Sequence, residues 1–165
     1  MRVFNVDDFI LIDARKRIVP VTEENISDAA RIHSISWQES HRSFCSEDFI
    51  EKHTVEHQKE YIREKIKNGS KFYLLYDKEP VAVVSVNDNL IEELYVLPEQ
   101  QNKGYGTQLL GYVVAKIQKL GLIPSLWILE NNKGAERLYL RQGFVHTGNR
   151  NHITGKLDEV EYRYE

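Results

Sequence analysis

The segment with the clearest chemical signal is the loop Gln101-Asn102-Lys103-Gly104-Tyr105-Gly106, which lies between a strand-like and a helix-like run. Gly104 and Gly106 permit positive φ angles and a close approach of the backbone to a ligand. The first turn of the following helix presents N–H groups without intrahelical partners, at the positive end of the helix dipole. Such a turn binds phosphate, so the loop predicts an anion site; without a ligand it would be only a tight strand-to-helix turn.

Two common phosphate loops do not fit this segment. The nucleotide P-loop requires G-x-x-x-x-G-K-[ST], a string that the sequence lacks. The dinucleotide fingerprint G-x-G-x-x-G would require glycine at the position of Leu109, and it would follow the first strand of a parallel unit. The loop instead follows three strand-like runs at short spacing, which predict an antiparallel meander.

Other residues that could do chemistry give weaker signals. His53-Thr54-Val55-Glu56-His57 fits the zinc-protease pattern H-x-x-E-H. No third ligand can be identified and the segment is highly polar, so we interpret it as a solvated helix face and predict no metal site. Cys45 is the single cysteine and can form no internal disulfide, so we interpret it as a buried or incidental thiol.

Two separated motifs resemble those of the GNAT superfamily of acetyl-coenzyme A-dependent N-acetyltransferases. The family signature [Q/R]-x-x-G-x-[G/A] is matched by Gln101, Gly104 and Gly106. Residues 131–144, NNKGAERLYLRQGF, are similar to the later family segment N-x-x-A-x-x-L-Y-x-x-x-G-F, in the family order and spacing. Weaker similarity in residues 21–42 extends the resemblance from about Ile18 to the C-terminus, and residues 1–17 are an extension outside it.

The resemblance implies acetyl-coenzyme A as the co-substrate, bound at the glycine loop. The residues implied around its pyrophosphate are Gln101, Asn102, Lys103, Gly104, Tyr105, Gly106 and Thr107. The strand before the loop would pair with the pantetheine arm through the backbone of Leu94, Tyr95, Val96 and Leu97. Val96 N–H is the candidate donor to the thioester carbonyl, and removing one such donor from other enzymes costs about 3 to 4 kcal/mol.

An acceptor amine must lose a proton before it attacks the thioester. An alkyl amine with a pKa near 10 is only about one part in a thousand neutral at pH 7, a deficit of roughly 4 kcal/mol. Glu92 and Glu93 lie on the strand before the loop, and because successive strand residues face opposite ways, only one can face the acceptor. We prefer Glu92, whose register matches a catalytic glutamate of some polyamine-acetylating relatives. A water relay and a solvent-facing carboxylate stay open as alternatives.

Tyr139 is the candidate that the resemblance implies for contacting the coenzyme and protonating its departing thiolate. A phenol has an ordinary pKa of about 10 and the thiol one of roughly 8.5. At this helical spacing alone, Tyr139 would be a core aromatic. Asn132 would contact the coenzyme, cap the helix that starts near Lys133, or do both. Trp37 and His41 are substrate-side candidates because the family forms part of its acceptor pocket there, although core packing is the simpler explanation of Trp37.

Hydrophobic periodicity predicts the elements that must position these residues. Helices are expected from Thr22 through Trp37, over about Thr54–Lys67, from the glycine loop to Gly121, and over Lys133–Gln142. Strands are expected at KFYLLYD, VAVVSV, LIEELYV and SLWILE, at Phe144–Thr147, and in the alternating tail Glu159–Tyr164. An additional strand is expected around Phe9–Ile12.

Composition excludes several classes of function. The 165 residues are 41% hydrophobic and 28% charged, which suits one ordinary folded domain. A formal net charge of −3 gives no basic footprint for nucleic acid, and no apolar stretch approaches the roughly 18 residues of a membrane span. The N-terminal apolar run is too short for a secretory signal, so the sequence predicts a cytoplasmic protein.

Together these patterns predict a single domain over residues 1–165 with an α+β fold. The resemblance implies the GNAT fold, a mostly antiparallel mixed sheet of six to seven strands flanked by about four helices. It also implies direct acetyl transfer from acetyl-coenzyme A to a primary amine of a small molecule or peptide, through a ternary complex. The alternative is a non-catalytic acyl-coenzyme A sensor or partner-binding domain. The acceptor, the range of acyl groups and a homodimeric state stay open.

Overall fold

The computed structural model describes four stretches of the chain: residues 4–6, 9–11, 16–43 and 45–165. Its backbone contacts divide the chain into two compact units. The first unit comprises Met1–Ser85 and Glu93–Leu110, and the second comprises Val86–Glu92 and Gly111–Glu165.

The first unit has the strand order β1-β2-β3-β4-β5-β6. These strands are β1 (Phe4–Val6), β2 (Phe9–Leu11), β3 (Lys16–Pro20), β4 (Lys71–Asp77), β5 (Glu79–Asn87) and β6 (Leu90–Val96). The end of β5 and the beginning of β6 are counted with the second unit. Strands β1 to β4 pair antiparallel. The runs KFYLLYD and LIEELYV are confirmed as β4 and β6, and the extra N-terminal strand is confirmed as β2, while Ile12 lies outside the described residues. Strand β5 begins two residues before Val81 because Lys78 alone, at φ 66°, makes most of the turn.

Three helices of the first unit are α1 (Ile26–His41), α2 (Glu47–Glu51) and α3 (Val55–Lys67). The prediction that α1 begins at Thr22 is wrong. The side chain of Asn25 accepts a hydrogen bond from Thr22 N–H at 2.8 Å and donates one to Pro20 O at 3.0 Å, which holds these residues in a turn. The predicted start of α3 is confirmed, since Thr54 Oγ1 accepts from His57 N–H at 3.1 Å.

The core of the first unit lies between α1, α3 and the strands β4 and β5. Its buried members are Ile26, Ala29, Ala30, Ile32, Ile62, Phe72, Leu74, Tyr76, Val83 and Leu97. Each large aliphatic side chain buried in this way contributes about 1.5–3 kcal/mol. One face of α1 is therefore buried, and this packing places α1 next to Leu97, which follows β6.

The second unit has the strand order β6-β7-β9-β8. Its further strands are β7 (Ser125–Leu129), β8 (Phe144–Thr154) and β9 (Leu157–Tyr164). Strand β6 pairs parallel with β7 at Leu90↔Ser125 and Ile91↔Leu126, whereas β7, β9 and β8 pair antiparallel, so the sheet is mixed. Strand β8 is longer than predicted because its pairing with β9 resumes after a register shift between His146 and Arg150.

The remaining helices are α4 (Tyr105–Lys119), which starts at the glycine loop, and α5 (Lys133–Arg141). Helix α4 ends before Gly121, whose φ of 75° is typical of a helix stop, and both helices are confirmed. The α+β class is confirmed: β3 to β9 supply seven strands, and β1, β2 and the short α2 are additional among the described residues. In the same part of the chain, no helix has the length and apolar character to cross a membrane.

Candidate active site

The glycine loop forms an open turn between β6 and α4. A 3-10 turn at Pro98–Gln100 follows β6, and then Asn102 and Gly104 take φ angles of 63° and 86°. The first hydrogen bond of α4 runs from Gln108 N–H to Gly104 O at 3.1 Å, so the N–H groups of Gly104 to Thr107 precede the helical ladder. The first turn carries no acidic side chain. This geometry suits an anion, as the sequence predicts.

Gly104 is required for its backbone conformation rather than for lack of room. A Cβ atom built at this position would meet no atom within 4 Å, but φ is +86°. Side chains of L-residues disfavour this region by roughly 1–2 kcal/mol. The space beside the Gly104 backbone is therefore open.

Tyr105 holds the start of α4 in place. Its ring is buried, its hydroxyl donates to Asp77 Oδ2 on β4 at 2.5 Å, and Lys16 Nζ lies 5.8 Å from the ring centroid. The side chain thus points into the protein. The side chain positions the turn.

Val96 directs its N–H toward the edge of β6 that faces away from β5. Leu97 N–H donates to Val81 O on β5 at 3.0 Å, and N–H groups of successive strand residues alternate between the two edges. Val96 O accepts hydrogen bonds from Gln101 Nε2 at 3.3 Å and from Ser36 Oγ at 3.4 Å. The side chain of Gln101 therefore links the loop to Val96, whose N–H is the candidate donor to the thioester carbonyl.

Glu93 lies in a polar cluster with two residues that the sequence reasoning missed. His33 Nε2 is 2.9 Å from Glu93 Oε2, and the hydroxyl of Tyr61 donates to Oε1 at 2.7 Å. The side chains of His33 and Glu93 are 3% and 20% exposed. Burial alone would raise the pKa of Glu93, but the hydrogen bond and charge of His33, the Tyr61 bond and the charge of Lys65 together lower it below its usual value. The carboxylate is thus kept ionised.

Glu92 precedes Glu93 on β6 and therefore points to the opposite face of the strand. It is half-buried. The expectation that only one of the two carboxylates faces the acceptor stays a prediction. The preference for Glu92 as the base stays a prediction.

Trp37 is the centre of an aromatic stack at the C-terminal end of α1. The rings of His41 and His53 lie parallel to it, with centroids at 4.0 Å and 3.4 Å. Two rings this close to one centroid would overlap on a single face, so they cover opposite faces of the indole. Burial lowers the pKa of His41 below its usual value. The hydrogen bond to Trp37 O acts in the opposite direction, and the charge of His53 lowers the pKa further. The structure thus brings together Trp37 and His41, the two substrate-side candidates.

His53 precedes Thr54, the N-cap of α3, so the H-x-x-E-H string does not lie on one helix. Its Nδ1 is 3.0 Å from Phe49 O. Across the residues that the structure describes, no three His, Cys, Asp or Glu side chains are grouped as metal ligands. Cys45 is half-buried and free.

Tyr139 and Asn132 belong to the second unit. Tyr139 is 7% exposed and its ring meets that of Phe144 edge-on at 5.7 Å. Burial raises the pKa of its phenol to about 12, so the group is a proton donor rather than a phenolate at neutral pH. Asn132 Oδ1 accepts from Ala135 N–H at 3.1 Å, which confirms it as the cap of α5.

Known proteins share this fold. Residues 29–144 match the model of the Acetyltransferase (GNAT) family. No curated protein matches the sequence. Among solved structures, the chain is similar to PaiA N-acetyltransferase from Thermoplasma acidophilum in complex with coenzyme A, at 20% identity and a TM-score of 0.68, over 90% of this chain and 99% of that one.

Two further structures show the same likeness. YncA, a putative acetyltransferase from Salmonella typhimurium with its cofactor acetyl-CoA, is 15% identical with a TM-score of 0.67, over 92% of this chain and 94% of that one. RimL, a ribosomal L7/L12 alpha-N-protein acetyltransferase in complex with coenzyme A, is 15% identical with a TM-score of 0.72, over 94% of this chain and 97% of that one. At these identities the likeness is one of fold.

Proposed function

From the premise that this chain belongs to the GNAT acetyltransferase family and has its fold, we propose that it transfers the acetyl group of acetyl-coenzyme A to a primary amine. The transfer is direct, within a ternary complex. The observation that carries the proposal is the open turn at Gly104, where the N–H groups that begin α4 precede the helical ladder. The coenzyme A and acetyl-CoA in the PaiA, yncA and RimL structures support the choice of ligand.

In this proposal the coenzyme is bound by backbone groups. The amides of Asn102 to Thr107 hold the pyrophosphate at the positive end of the α4 dipole. The pantetheine arm pairs with Leu94 to Leu97 as an added strand, on the edge toward which Val96 N–H points. That N–H then polarises the thioester carbonyl, a contribution of about 3 to 4 kcal/mol judged from comparable donors.

The amine arrives as an ammonium ion and must lose a proton. A carboxylate accepts this proton, either directly or through a chain of water molecules. Glu92 and Glu93 are the two candidates. The RimL name, an alpha-N-protein acetyltransferase, supports an amine as the acceptor class, and the acceptor here is a small molecule or a peptide. We assign Trp37 and His41 to the substrate side, where their stacked rings would form part of the wall of the acceptor pocket.

Tyr139 assists the departure of the coenzyme thiolate. Full proton transfer from a phenol with a pKa of about 12 to a thiolate of pKa roughly 8.5 is uphill by about 5 kcal/mol. A hydrogen bond from the phenol to the developing thiolate requires no such transfer. We therefore propose that Tyr139 stabilises the thiolate as a donor, and that the proton released by the amine neutralises it later.

The family match spans residues of both units, which supports one acetyltransferase domain with the N-terminal residues as an extension. Assays of free thiol release from acetyl-coenzyme A test the activity, with n-butylamine, 1,4-diaminobutane, a lysine peptide and a peptide with a free N-terminus as acceptors. We expect amine-dependent thiol release with at least one of them. Tight coenzyme binding without release on any amine would favour the non-catalytic sensor instead.

A further inference from the structure

The cluster around Glu93 joins three elements of the first unit. His33 on α1 and Tyr61 on α3 hold the two carboxylate oxygens at 2.9 Å and 2.7 Å, from positions 60 and 32 residues away in the chain. The imidazole of His33 also contacts the rings of Tyr95 at 4.8 Å and Tyr61 at 5.3 Å. These contacts fix the orientation of both the imidazole and the carboxylate.

Packing alone does not account for this cluster. Removing a carboxylate from water is costly, and replacing a buried ionic pair by well-packed apolar residues is often neutral or stabilising. The buried positions of α1 that precede His33 are apolar, as Ala29, Ala30 and Ile32 show, whereas Ser34 and Ser36 after it are buried and polar. A histidine and a glutamate at the end of this apolar face therefore point to a task other than stability.

The hydrogen bond from His33 orients the carboxylate. An ionised carboxylate only accepts hydrogen bonds, so His33 Nε2 carries the hydrogen that is donated to Glu93. His33 Nδ1 is buried without a hydrogen-bond partner among the residues that the structure describes. In this part of the chain, the hydrogen bond to Glu93 is therefore the one that the imidazole makes.

Glu93 also keeps capacity for a ligand. An ionised carboxylate has about four lone-pair sites, and the protein bonds from His33 and Tyr61 use one on each oxygen. The Glu93 side chain is 20% exposed, in contrast to 3% for His33. A primary ammonium group carries three N–H donors, which match an oriented and partly accessible carboxylate.

We propose that His33 is a positioning residue for Glu93, and that the carboxylate held in this way receives the ammonium group of the acceptor. This inference rests on the proposed function, because it names the residue that meets the acceptor of that reaction. Glu93 contacts the amine, and His33 acts through Glu93. In this proposal Glu92, on the other face of β6, does not receive the ammonium group.

Kinetics of matched variants test this assignment with saturating acetyl-coenzyme A and the panel amine that turns over fastest. His33→Leu removes the donor, whereas His33→Gln keeps an N–H at a similar reach. We expect His33→Leu and Glu93→Gln to raise the KM for the amine by about tenfold or more, the usual effect of losing a hydrogen bond to a charged group. The KM for acetyl-coenzyme A should change by less than about twofold, and His33→Gln should restore most of the loss.

Three results would overturn the proposal: equal changes in both KM values, an unchanged amine KM, or an amine effect of Glu92→Gln in place of Glu93→Gln. Calorimetric binding of acetyl-coenzyme A by each variant checks that it is folded. A variant that fails this check is replaced in the comparison by Tyr61→Phe, which removes the other bond to Glu93 and should also raise the amine KM.

Ring ¹⁵N shifts of His33 test the positioning without turnover. The wild-type protein should show the Nε2–H tautomer, and Glu93→Leu should lose that preference. An Nδ1–H tautomer in the wild type would refute the positioning role. If the wild type acetylates no amine at all, the proposed function fails, and the positioning of Glu93 is then decided on the tautomer alone.

Discussion

The hydroxyl group of Tyr105 donates a hydrogen bond of 2.5 Å to Oδ2 of Asp77, which joins the first residue of α4 to the last residue of β4. The bond matters because the amides of that first turn are the proposed pyrophosphate site. The buried side chain of Tyr105 thus fixes the orientation of the backbone N–H groups in the first turn of α4.

Tyr105→Phe should therefore weaken both the fold and the site. Loss of the bond leaves Asp77 without its phenol donor and should cost about 1–3 kcal/mol of stability in urea unfolding. Acetyl-coenzyme A affinity should fall as well. Tyr112→Phe is the control, since Tyr112 is a buried tyrosine of the same helix but lies beyond the first turn. Equal affinities for the two variants would argue against the positioning role of Tyr105.

Gly104 and Gly111 form a second matched pair. Neither would bring a new Cβ within 4 Å of another atom, but only Gly104 has a positive φ. Gly104→Ala should lower stability by roughly 1–2 kcal/mol, whereas Gly111→Ala in the middle of α4 should raise it by about 0.5–1 kcal/mol. Thermal unfolding of both variants measures the difference. A Gly104→Ala protein as stable as the wild type would show that glycine is not required for the positive φ at position 104.

Tyr139→Phe should leave acetyl-coenzyme A binding unchanged and lower kcat. Loss of one donor to the developing thiolate should reduce kcat by about 100-fold, in the range seen for oxyanion donors. Because burial raises the pKa of Tyr139 to about 12, the wild-type rate should show no alkaline loss from this group up to about pH 10. Unchanged turnover in the variant would remove Tyr139 from the mechanism.

The pKa of Glu93 predicts a loss of stability in acid. Its folded-state pKa is lowered below the unfolded value of about 4.3, so its contribution is present above that pH and is lost as the pH falls through the folded value. Between about pH 5 and pH 3, the wild type should therefore lose stability more steeply than Glu93→Gln. Denaturant unfolding at several pH values measures both slopes, and parallel curves would contradict the shift.

The sequence predicted the parts of the site that local patterns determine. The glycines at 104 and 106 and the long apolar stripe of α4 indicated the loop and its helix, and the Asn132 cap followed from the residue before a helix. The family resemblance supplied the expected role of Tyr139, which periodicity alone would have assigned to the core.

Contacts between distant segments could not be predicted in this way. The pairing of His33 with Glu93 could not be predicted, because it depends on how α1 packs against β6. The stacking of Trp37 with His53 likewise depends on the short α2, which has too few residues to show a helical period. The predicted start of α1 at Thr22 is wrong because the Asn25 side chain holds this segment in a turn, and the helix begins at Ile26.

The central claim is that the amides opening α4 bind the diphosphate of acetyl-coenzyme A, and calorimetric titration tests it most directly. The wild-type protein and Gly111→Ala should bind acetyl-coenzyme A with measurable heat, Gly104→Ala should bind it more weakly, and S-acetylpantetheine, which lacks the diphosphate, should bind all three proteins weakly. Absence of heat from acetyl-coenzyme A on folded wild-type protein, or equal affinity for the ligand without the diphosphate, would contradict the claim.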